Sequence, residues 1–148
     1  MKALVVYYSR TNTTKRIADE IAMRLKADVA AIEPQKGYEG ALGWLRAGRE
    51  AGARIEPKIR QVQTDGYDLV VIGTPVWVGT MASPVRTFMK RNKLDNVAFF
   101  CTMGGGVSRT FDDMQKLSSE PKATLAIRTK DVRKGDYDLK DFVSGLKR

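Results

Sequence analysis

A run of hydroxyl and amide side chains follows the first hydrophobic segment and could bind an anion. Residues 9–14 read Ser-Arg-Thr-Asn-Thr-Thr and precede a stretch with helical spacing. Capping a helix needs only one such side chain, and a helix N-terminus also offers free N–H groups and the positive end of a dipole. The segment lacks the Gly-Lys pair of nucleoside-triphosphate loops and the Gly-x-Gly-x-x-Gly of dinucleotide sites, which favours a terminal phosphate monoester. The residues predicted to bind it are Ser9, Thr11, Asn12, Thr13 and Thr14.

A tryptophan-containing segment follows another hydrophobic run. Residues 73–81 read Gly-Thr-Pro-Val-Trp-Val-Gly-Thr-Met. One interpretation is that Trp77 packs into the core. The interpretation we adopt is that it offers a flat apolar wall to a planar ring, while glycine lets the backbone approach the ring edge. The residues predicted to flank this ring are Thr74, Pro75, Val76, Trp77 and Gly79.

Three consecutive glycines follow a third hydrophobic run, in the segment Thr-Met-Gly-Gly-Gly at residues 102–106. Each glycine costs conformational entropy on folding, so something must require it. A flexible turn is one explanation. Backbone that lies flat against a ligand is the explanation we favour, because the other two segments are present. The predicted contacts are Thr102, Met103, Gly104, Gly105 and Gly106.

The three segments belong to an alternating pattern of strands and helices. The predicted strands, which are short β-branched and aromatic runs, are residues 3–8, 28–33, 68–73, 97–102 and 123–128. The predicted helices, which have amphipathic spacing, are residues 13–26, 84–93, 108–118 and 138–147. Ser83 is predicted to cap the second helix, with Pro84 in its first turn. The alternation predicts an α/β fold with a parallel sheet covered on both faces, whose ligands bind beyond the carboxyl ends of the strands.

The segment between the second and third strands, residues 34–64, is the least regular part of the chain. Trp44 and Leu45 indicate a short helix, and a polar stretch follows. We interpret the segment as a long crossover within a single domain of residues 1–148. Its apolar side chains are expected to cover the sheet; a surface for a partner or substrate is the alternative.

The composition excludes several kinds of chemistry. The chain has no histidine and one cysteine, Cys101. It therefore has no Ser-His-Asp or Cys-His system, no His-ligated metal site and no Cys-x-x-Cys pair. Cys101 lies in a predicted strand and is expected to be a small buried residue. We identify no general acid or base, and predict neither a catalytic side chain nor a metal.

Taken together, the three segments resemble those of the flavodoxin family. Residues 8–14 are similar to the phosphate loop of that family, and residues 74–79 and 102–106 are similar to its two ring-binding loops. The resemblance covers essentially the whole chain. It implies a five-stranded parallel sheet of order 2-1-3-4-5, non-covalently bound FMN and electron transfer between redox partners. The chain has Asn12 where the family usually has glycine, and asparagine tolerates the left-handed backbone that such a turn needs.

A second function stays open at this point. Residues 74–81 are also similar to loops of flavodoxin-like oxidoreductases. That similarity implies an FMN-dependent NAD(P)H or quinone oxidoreductase, which needs an open ring face for its second substrate.

The net charge of +9 predicts a basic surface. Basic residues recur at positions 15–16, 86–93 and 128–134. They are expected on solvated faces, where they could attract an acidic redox partner. No nucleic-acid recognition motif accompanies them, so nucleic acid is not an expected partner.

The hydrophobic runs are short. None approaches the ~18–20 apolar residues of a membrane span, and the apolar run before Ser9 is shorter than the core of a signal peptide. We therefore expect a cytoplasmic protein, as a monomer or a homodimer.

Overall fold

A parallel β-sheet forms the centre of the computed structural model, which describes residues 1–148. In chain order the elements are β1 (Ala3–Tyr7), α1 (Thr13–Leu25), β2 (Asp28–Ala31), α2 (Gly40–Gly52), β3 (Leu69–Trp77), β4 (Thr80–Met81), α3 (Ser83–Arg91), β5 (Val97–Met103), α4 (Thr110–Lys116), β6 (Thr124–Arg128), α5 (Thr129–Lys134) and α6 (Lys140–Leu146). The long strands pair in the order β2-β1-β3-β5-β6, and the short β4 pairs only with β3. The five parallel strands thus have the order 2-1-3-4-5, which confirms the predicted α/β fold.

Side chains of each central strand alternate between two hydrophobic clusters of 18 buried residues each. On β1, Val5 faces the cluster that contains α1, α5 and α6, whereas Leu4 and Val6 face the cluster that contains α2, α3 and α4. Both faces of the sheet are therefore covered to a similar extent. This arrangement explains why the central strands are continuous apolar runs without polar alternation. Cys101 is fully buried in β5, as predicted.

β3 is longer than predicted and continues into a hairpin. Thr74 and Pro75 still pair with β5, and the last two residues of β3 pair with β4 in antiparallel orientation. The connecting turn has left-handed backbone at Val78 (φ 50°) and Gly79 (φ 76°). The tryptophan-containing segment is therefore a short β-hairpin at the carboxyl end of the sheet rather than a loop.

The crossover between β2 and β3 contains a helix of 13 residues, α2. Tyr38, Ala47 and Ile59 are buried in the second cluster, which confirms that part of this segment covers the sheet. Trp44 and Leu45 are instead 63% and 59% exposed. The helix thus has one face on the core and one apolar face toward the cleft described below.

Two local predictions are wrong. Ala82, not Ser83, is the N-cap of α3, because the backbone is still extended at Ala82 (φ −59°, ψ 143°) and Ser83 is the first helical residue; the Ser83 hydroxyl lies 3.3 Å from Glu50 Oε1. Arg86 is only 5% exposed rather than on a solvated face. Its guanidinium donates to the Thr80 hydroxyl at 3.2 Å, an interaction that no spacing rule within α3 reveals.

The carboxyl-terminal region has one helix more than predicted. α5 follows β6 without a loop and buries Val132 against α1. α6 buries Phe142, Val143 and Leu146, with Leu139 at its N-cap, as the amphipathic pattern predicted. No helix in the chain is both long enough and apolar enough to cross a membrane.

Candidate functional site

A cleft of about 220 Å³ lies beyond the carboxyl ends of β1, β3 and β5. The predicted residues that line it are Ser9, Thr11, Thr13, Thr14, Pro75, Val76, Trp77, Thr102 and Gly104. The predicted residues that do not line it are Asn12, Thr74, Gly79, Met103, Gly105 and Gly106. The structure thus brings residues of all three predicted segments to one place, as expected for the strand ends of a parallel sheet.

The hydroxyl-rich segment forms a turn into α1. Asn12 is the N-cap, has left-handed backbone (φ 69°) and makes no side-chain capping bond. The N–H groups of the first turn therefore have no side-chain cap, and a helix leaves such groups without intrahelical partners. The Ser9 hydroxyl is buried and has no hydrogen-bond partner. Buried polar groups are nearly always paired, so this hydroxyl fits a ligand that supplies an acceptor in the cleft.

A hydroxyl pair joins the first segment to the third. The Thr14 and Thr102 hydroxyls lie 2.8 Å apart, and both residues are buried. The bond connects the first turn of α1 to the end of β5. It holds two walls of the cleft at a fixed separation before any ligand binds.

Trp77 packs on one side against two tyrosines. Its ring lies edge-on to Tyr8 at 5.4 Å and to Tyr38 at 5.2 Å between ring centroids. Trp77 is half-buried and also lines the cleft. Such edge-to-face contacts fix the orientation of an aromatic ring. One side of the indole therefore packs against the tyrosines, as in the core-packing interpretation. Its other side is an apolar wall of the cleft, as in the ligand-binding interpretation.

A polar network of Tyr38, Arg46 and Glu50 lies next to these aromatic rings. The Tyr38 hydroxyl donates to Glu50 Oε1 at 2.6 Å, and Arg46 Nε donates to Glu50 Oε2 at 2.9 Å. The Arg46 guanidinium also lies over the Tyr38 ring, 4.1 Å from its centroid. Burial, followed by the hydrogen bond to Glu50, raises the pKa of Tyr38 above its ordinary value. The network fixes α2 to the segment that precedes it, and thereby positions the helix beside the cleft.

The cleft is also lined by three residues that the sequence patterns did not identify, namely Arg10, Trp44 and Thr129. The Arg10 guanidinium donates to the Tyr38 carbonyl at 2.8 Å and to the Gly40 carbonyl at 3.1 Å, which ties the first segment to α2. Thr129 directly follows β6, so the rule that ligands lie at strand ends could have found it. Trp44 comes from the crossover and carried no such signal.

The residues outside the cleft have structural roles or lie in its surroundings. The Thr74 hydroxyl accepts from the Ala82 N–H at 2.9 Å and donates to the Pro75 carbonyl at 2.8 Å, so it is occupied within the hairpin. Gly79 has a left-handed φ, and a Cβ there would lie 2.9 Å from the Ser108 hydroxyl. Met103 is half-buried at the end of β5.

The glycine segment that follows β5 has no conformational reason to be glycine. None of Gly104, Gly105 and Gly106 has a left-handed φ, and no atom lies within 4 Å of a Cβ built on any of them. Nothing within the protein therefore excludes side chains at these positions. Because these residues have no side chains, a flat ligand could lie directly against the backbone beside the cleft.

A second, more apolar cleft adjoins the first and has a volume of about 380 Å³. It shares Trp44, Val76 and Trp77 with the first cleft. Its other lining residues are Leu45, Gly48, Arg49 and Val78. The indoles of α2 and of the β3–β4 hairpin thus separate a polar cleft from an apolar one.

This fold and site define a flavodoxin-like α/β protein, in which a hydroxyl-lined helix N-terminus and an aromatic wall meet at the carboxyl end of a parallel sheet. The sequence model of the flavodoxin family matches residues 2–129. The chain therefore belongs to the flavodoxin family.

Several solved structures have the same fold. A protein from Bacteroides eggerthii assigned to the flavoproteins is 26% identical, with 97% of this chain and 98% of that chain covered and a TM-score of 0.78. A flavoprotein from Lactobacillus acidophilus, solved in complex with FMN, is 25% identical, with 90% and 97% covered and a TM-score of 0.69. Oxidised flavodoxin 2 from Bacillus cereus is 18% identical, with 99% and 98% covered and a TM-score of 0.59, and supports the fold alone. No curated protein is significantly similar in sequence.

Proposed function

We propose that this chain binds FMN in the hydroxyl-lined cleft and transfers electrons between redox partners. The observation that carries the proposal is the buried, unpartnered Ser9 hydroxyl, on the segment that leads into α1; Ser9 lines the same cleft as Trp77. A phosphate oxygen would accept the hydrogen bond that the Ser9 hydroxyl lacks, and a planar ring would pack against Trp77. The Lactobacillus acidophilus flavoprotein, which binds FMN, provides independent support.

The lining residues divide by chemistry. Ser9, Thr11, Thr13 and Thr14 donate to the phosphate together with the free N–H groups of the first turn of α1. Pro75, Val76 and Trp77 exclude water from the ring, and the backbone at Gly104 lies along its edge. FMN supplies the redox chemistry, while the protein supplies binding, orientation and electrostatics.

Three of the predicted residues outside the cleft contribute indirectly. Asn12 supplies the left-handed turn that directs the N–H groups, and Gly79 supplies the turn of the hairpin. Thr74 fixes that hairpin through its two hydrogen bonds. Met103, Gly105 and Gly106 stay predicted contacts on the third segment.

The proposed partners are acidic redox proteins in the cytoplasm. Basic side chains at positions 15–16, 90–93 and 128–134 are exposed, and a cationic surface accelerates encounter with an acidic partner at low salt. Arg86 is buried and does not contribute to that surface. The proposal holds for a monomer or a homodimer.

The second candidate function is an FMN-dependent NAD(P)H or quinone oxidoreductase. The observation that favours it is the apolar cleft of about 380 Å³ that adjoins the proposed FMN cleft. Such an enzyme needs space for another molecule beside the cofactor, and this cleft has the size of a small-molecule site.

A titration tests FMN binding. We expect apoprotein to quench the fluorescence of FMN at one equivalent and to bind riboflavin at least about tenfold more weakly, because hydrogen bonds to a charged group contribute roughly 1.5–3 kcal/mol. No binding of FMN, or equal affinity for FMN and riboflavin, would contradict the proposal.

An anaerobic experiment separates the two candidate functions. NADPH is added to FMN-loaded protein, and the visible absorbance of the flavin is followed. Rapid bleaching without a separate reductase supports the oxidoreductase, whereas bleaching that requires a reductase protein supports the electron carrier.

A further inference from the structure

A buried polar network joins the β3–β4 hairpin to α3 and α4. The Thr80 hydroxyl donates to Asp113 Oδ2 at 2.6 Å and accepts from the Arg86 guanidinium at 3.2 Å. Thr80 is 1% exposed, Asp113 3% and Arg86 5%. None of the three lines either cleft. One hydroxyl of the hairpin thus connects two buried, opposite charges that come from two helices.

Stability alone does not account for this Thr80 network. Burial of two charges costs desolvation free energy, which their attraction offsets only with good geometry and complete hydrogen bonding. The hydrogen bonding here is incomplete, because Arg86 Nε is buried and has no partner. Apolar side chains of similar volume often replace such groups without loss of stability. The place of the network in the fold indicates a different role.

The network holds the residue that pairs with the aromatic wall of the cleft. Thr80 lies directly opposite Trp77 in the hairpin, and the hairpin has only one other pair. The turn between them has left-handed backbone at Val78 (φ 50°), which β-branched residues avoid. Two-stranded hairpins are marginally stable by themselves in water. Contacts outside the hairpin must therefore keep its tip, and with it Trp77, in place.

Hydrogen bonds to α3 and to the start of α4 supply these contacts. Besides the two bonds of Thr80, the Arg109 N–H donates to the Gly79 carbonyl at 2.9 Å. Hydrogen bonds are directional, whereas the hydrophobic effect is not. The bonds of Thr80 therefore fix the direction of the strand that pairs with Trp77, and they do so from outside the ligand cleft.

We propose that Arg86 and Asp113 are positioning residues, which act through Thr80 to hold the Trp77 indole in the orientation that a flavin ring requires. This role rests on the proposed binding of FMN, but the orientation of the indole is measurable without FMN. The network takes no part in phosphate binding, because none of its residues lines the cleft that contains the hydroxyl-rich segment.

Apolar replacement of the whole network tests the proposal. The triple variant Thr80→Val, Arg86→Met and Asp113→Leu is made in a Trp44→Phe background, which leaves Trp77 as the sole tryptophan. We expect the urea midpoint to equal or exceed that of the background protein, because two buried charges are removed together. We expect the near-ultraviolet circular dichroism of Trp77 to be largely lost in the apoprotein, because the indole no longer has a fixed orientation.

Flavin binding provides a second measurement. In the triple variant we expect FMN and riboflavin to bind about tenfold more weakly than in the background protein, which is the scale of one aromatic contact. The ratio of the two affinities should stay the same, because the phosphate contacts are intact.

Two controls assign these effects to the network. Thr80→Ser keeps the bridging hydroxyl and is expected to retain the Trp77 signal and both flavin affinities. Thr110→Val makes the same chemical change as Thr80→Val at a fully buried threonine of α4 whose hydroxyl has no hydrogen-bond partner. We expect it to leave both measurements unchanged.

Three results would overturn the proposal. The first is an unchanged Trp77 signal or unchanged flavin affinities in the triple variant. The second is a triple variant that unfolds or has a lower urea midpoint, which would show that the network serves stability. The third is an equal loss of signal in Thr110→Val. Failure of the wild-type protein to bind FMN would contradict the proposed function instead, and the circular dichroism of the apoprotein would still report whether the network positions Trp77.

Discussion

At the scale of single residues, Ser9 differs from the other hydroxyls of its segment. Thr11 and Thr13 are 3.4 Å apart, and Thr14 is paired with Thr102, whereas the Ser9 hydroxyl is buried without a partner. A buried unsatisfied hydroxyl costs roughly 1–3 kcal/mol. The folded protein carries this cost unless a ligand supplies the missing hydrogen bond.

Ser9→Ala should therefore separate ligand binding from stability. We expect the affinity for FMN to fall about tenfold, the affinity for riboflavin to stay the same, and the free energy of unfolding to stay the same or rise. Fluorescence titration and urea unfolding measure the two quantities.

Thr74→Ala is the control for that variant, because its hydroxyl already makes two hydrogen bonds within the protein. We expect it to lower the free energy of unfolding by about 1–2 kcal/mol and to leave the ratio of FMN to riboflavin affinity unchanged. If Thr74→Ala lowered the ratio of FMN to riboflavin affinity and Ser9→Ala did not, the phosphate would lie in a different part of the cleft.

The residue types at the site were predictable, but some of their partners were not. Hydroxyls before a helix and glycines after a strand are local signals. The cleft is lined by Ser9, Thr11, Thr13, Thr14 and Gly104, whereas Gly105 and Gly106 do not line it. The burial of Arg86 depends on Thr80 and Asp113, which lie on other elements: Arg86 donates to the Thr80 hydroxyl, and that hydroxyl donates to Asp113 at 2.6 Å. Such contacts arise only from the packing of α3 against β4 and α4.

At the scale of elements, the β3–β4 hairpin combines a strained turn with an apolar tip. Left-handed backbone costs a non-glycine residue about 1–2 kcal/mol, and two-residue hairpin turns with two such positions favour Asn-Gly. The chain has Val-Gly at positions 78–79 instead.

Val78→Asn should raise the free energy of unfolding by about 1 kcal/mol, because it relieves the strain and removes little buried surface. The same substitution at Val76, which is half-buried in β3, should lower it. Urea unfolding of both variants tests the pair. A loss of stability in both would show that the contacts of Val78 with α2 outweigh its strain.

The elements themselves were predictable to different degrees. Continuous apolar runs indicated β1, β3 and β5, because the sheet buries both faces of its central strands. The extension of β3 was not predictable, since Pro75 and the adjacent glycine-containing turn are typical of loops. The role of α2 beside the cleft was equally hidden, because an exposed Trp44 has no neighbour in sequence that reveals its position.

At the scale of the whole molecule, the absence of histidine shapes the response to pH. No side chain has an ordinary pKa between those of the carboxylates and that of cysteine. Burial raises the pKa of Cys101 to about 12, and burial also raises the pKa values of Tyr8 and Tyr38. Above about pH 9 for the thiol and about pH 10 for the phenols, these groups stay neutral in the folded protein and ionise on unfolding.

Stability should accordingly be flat near neutral pH and fall in alkali. A raised folded-state pKa contributes stability that is fully present below the unfolded-state pKa and is lost as the pH rises toward the folded value. For Cys101 the decline begins near pH 9 and amounts to about 1.4 kcal/mol per pH unit. Urea unfolding across this range measures it.

Cys101→Ala provides the comparison for the alkaline decline. It lowers stability at every pH because it leaves a cavity, but its slope between about pH 9 and pH 10 should be shallower than that of the wild-type protein. Identical slopes would mean that the thiol does not ionise on unfolding in this range.

The hydrogen bond between Thr14 and Thr102 can reverse its direction without any movement of heavy atoms. Each hydroxyl has one hydrogen and also accepts, so whichever oxygen donates to the other, the second hydrogen stays free. Rotation of both hydroxyl groups reverses the direction of the bond, so that the free hydrogen is then the one on the other oxygen, 2.8 Å away. The heavy atoms of this wall of the cleft therefore stay in place while the direction of the hydrogen bond reverses. The wall can present its free hydrogen from either oxygen when the charge distribution of a bound ligand changes.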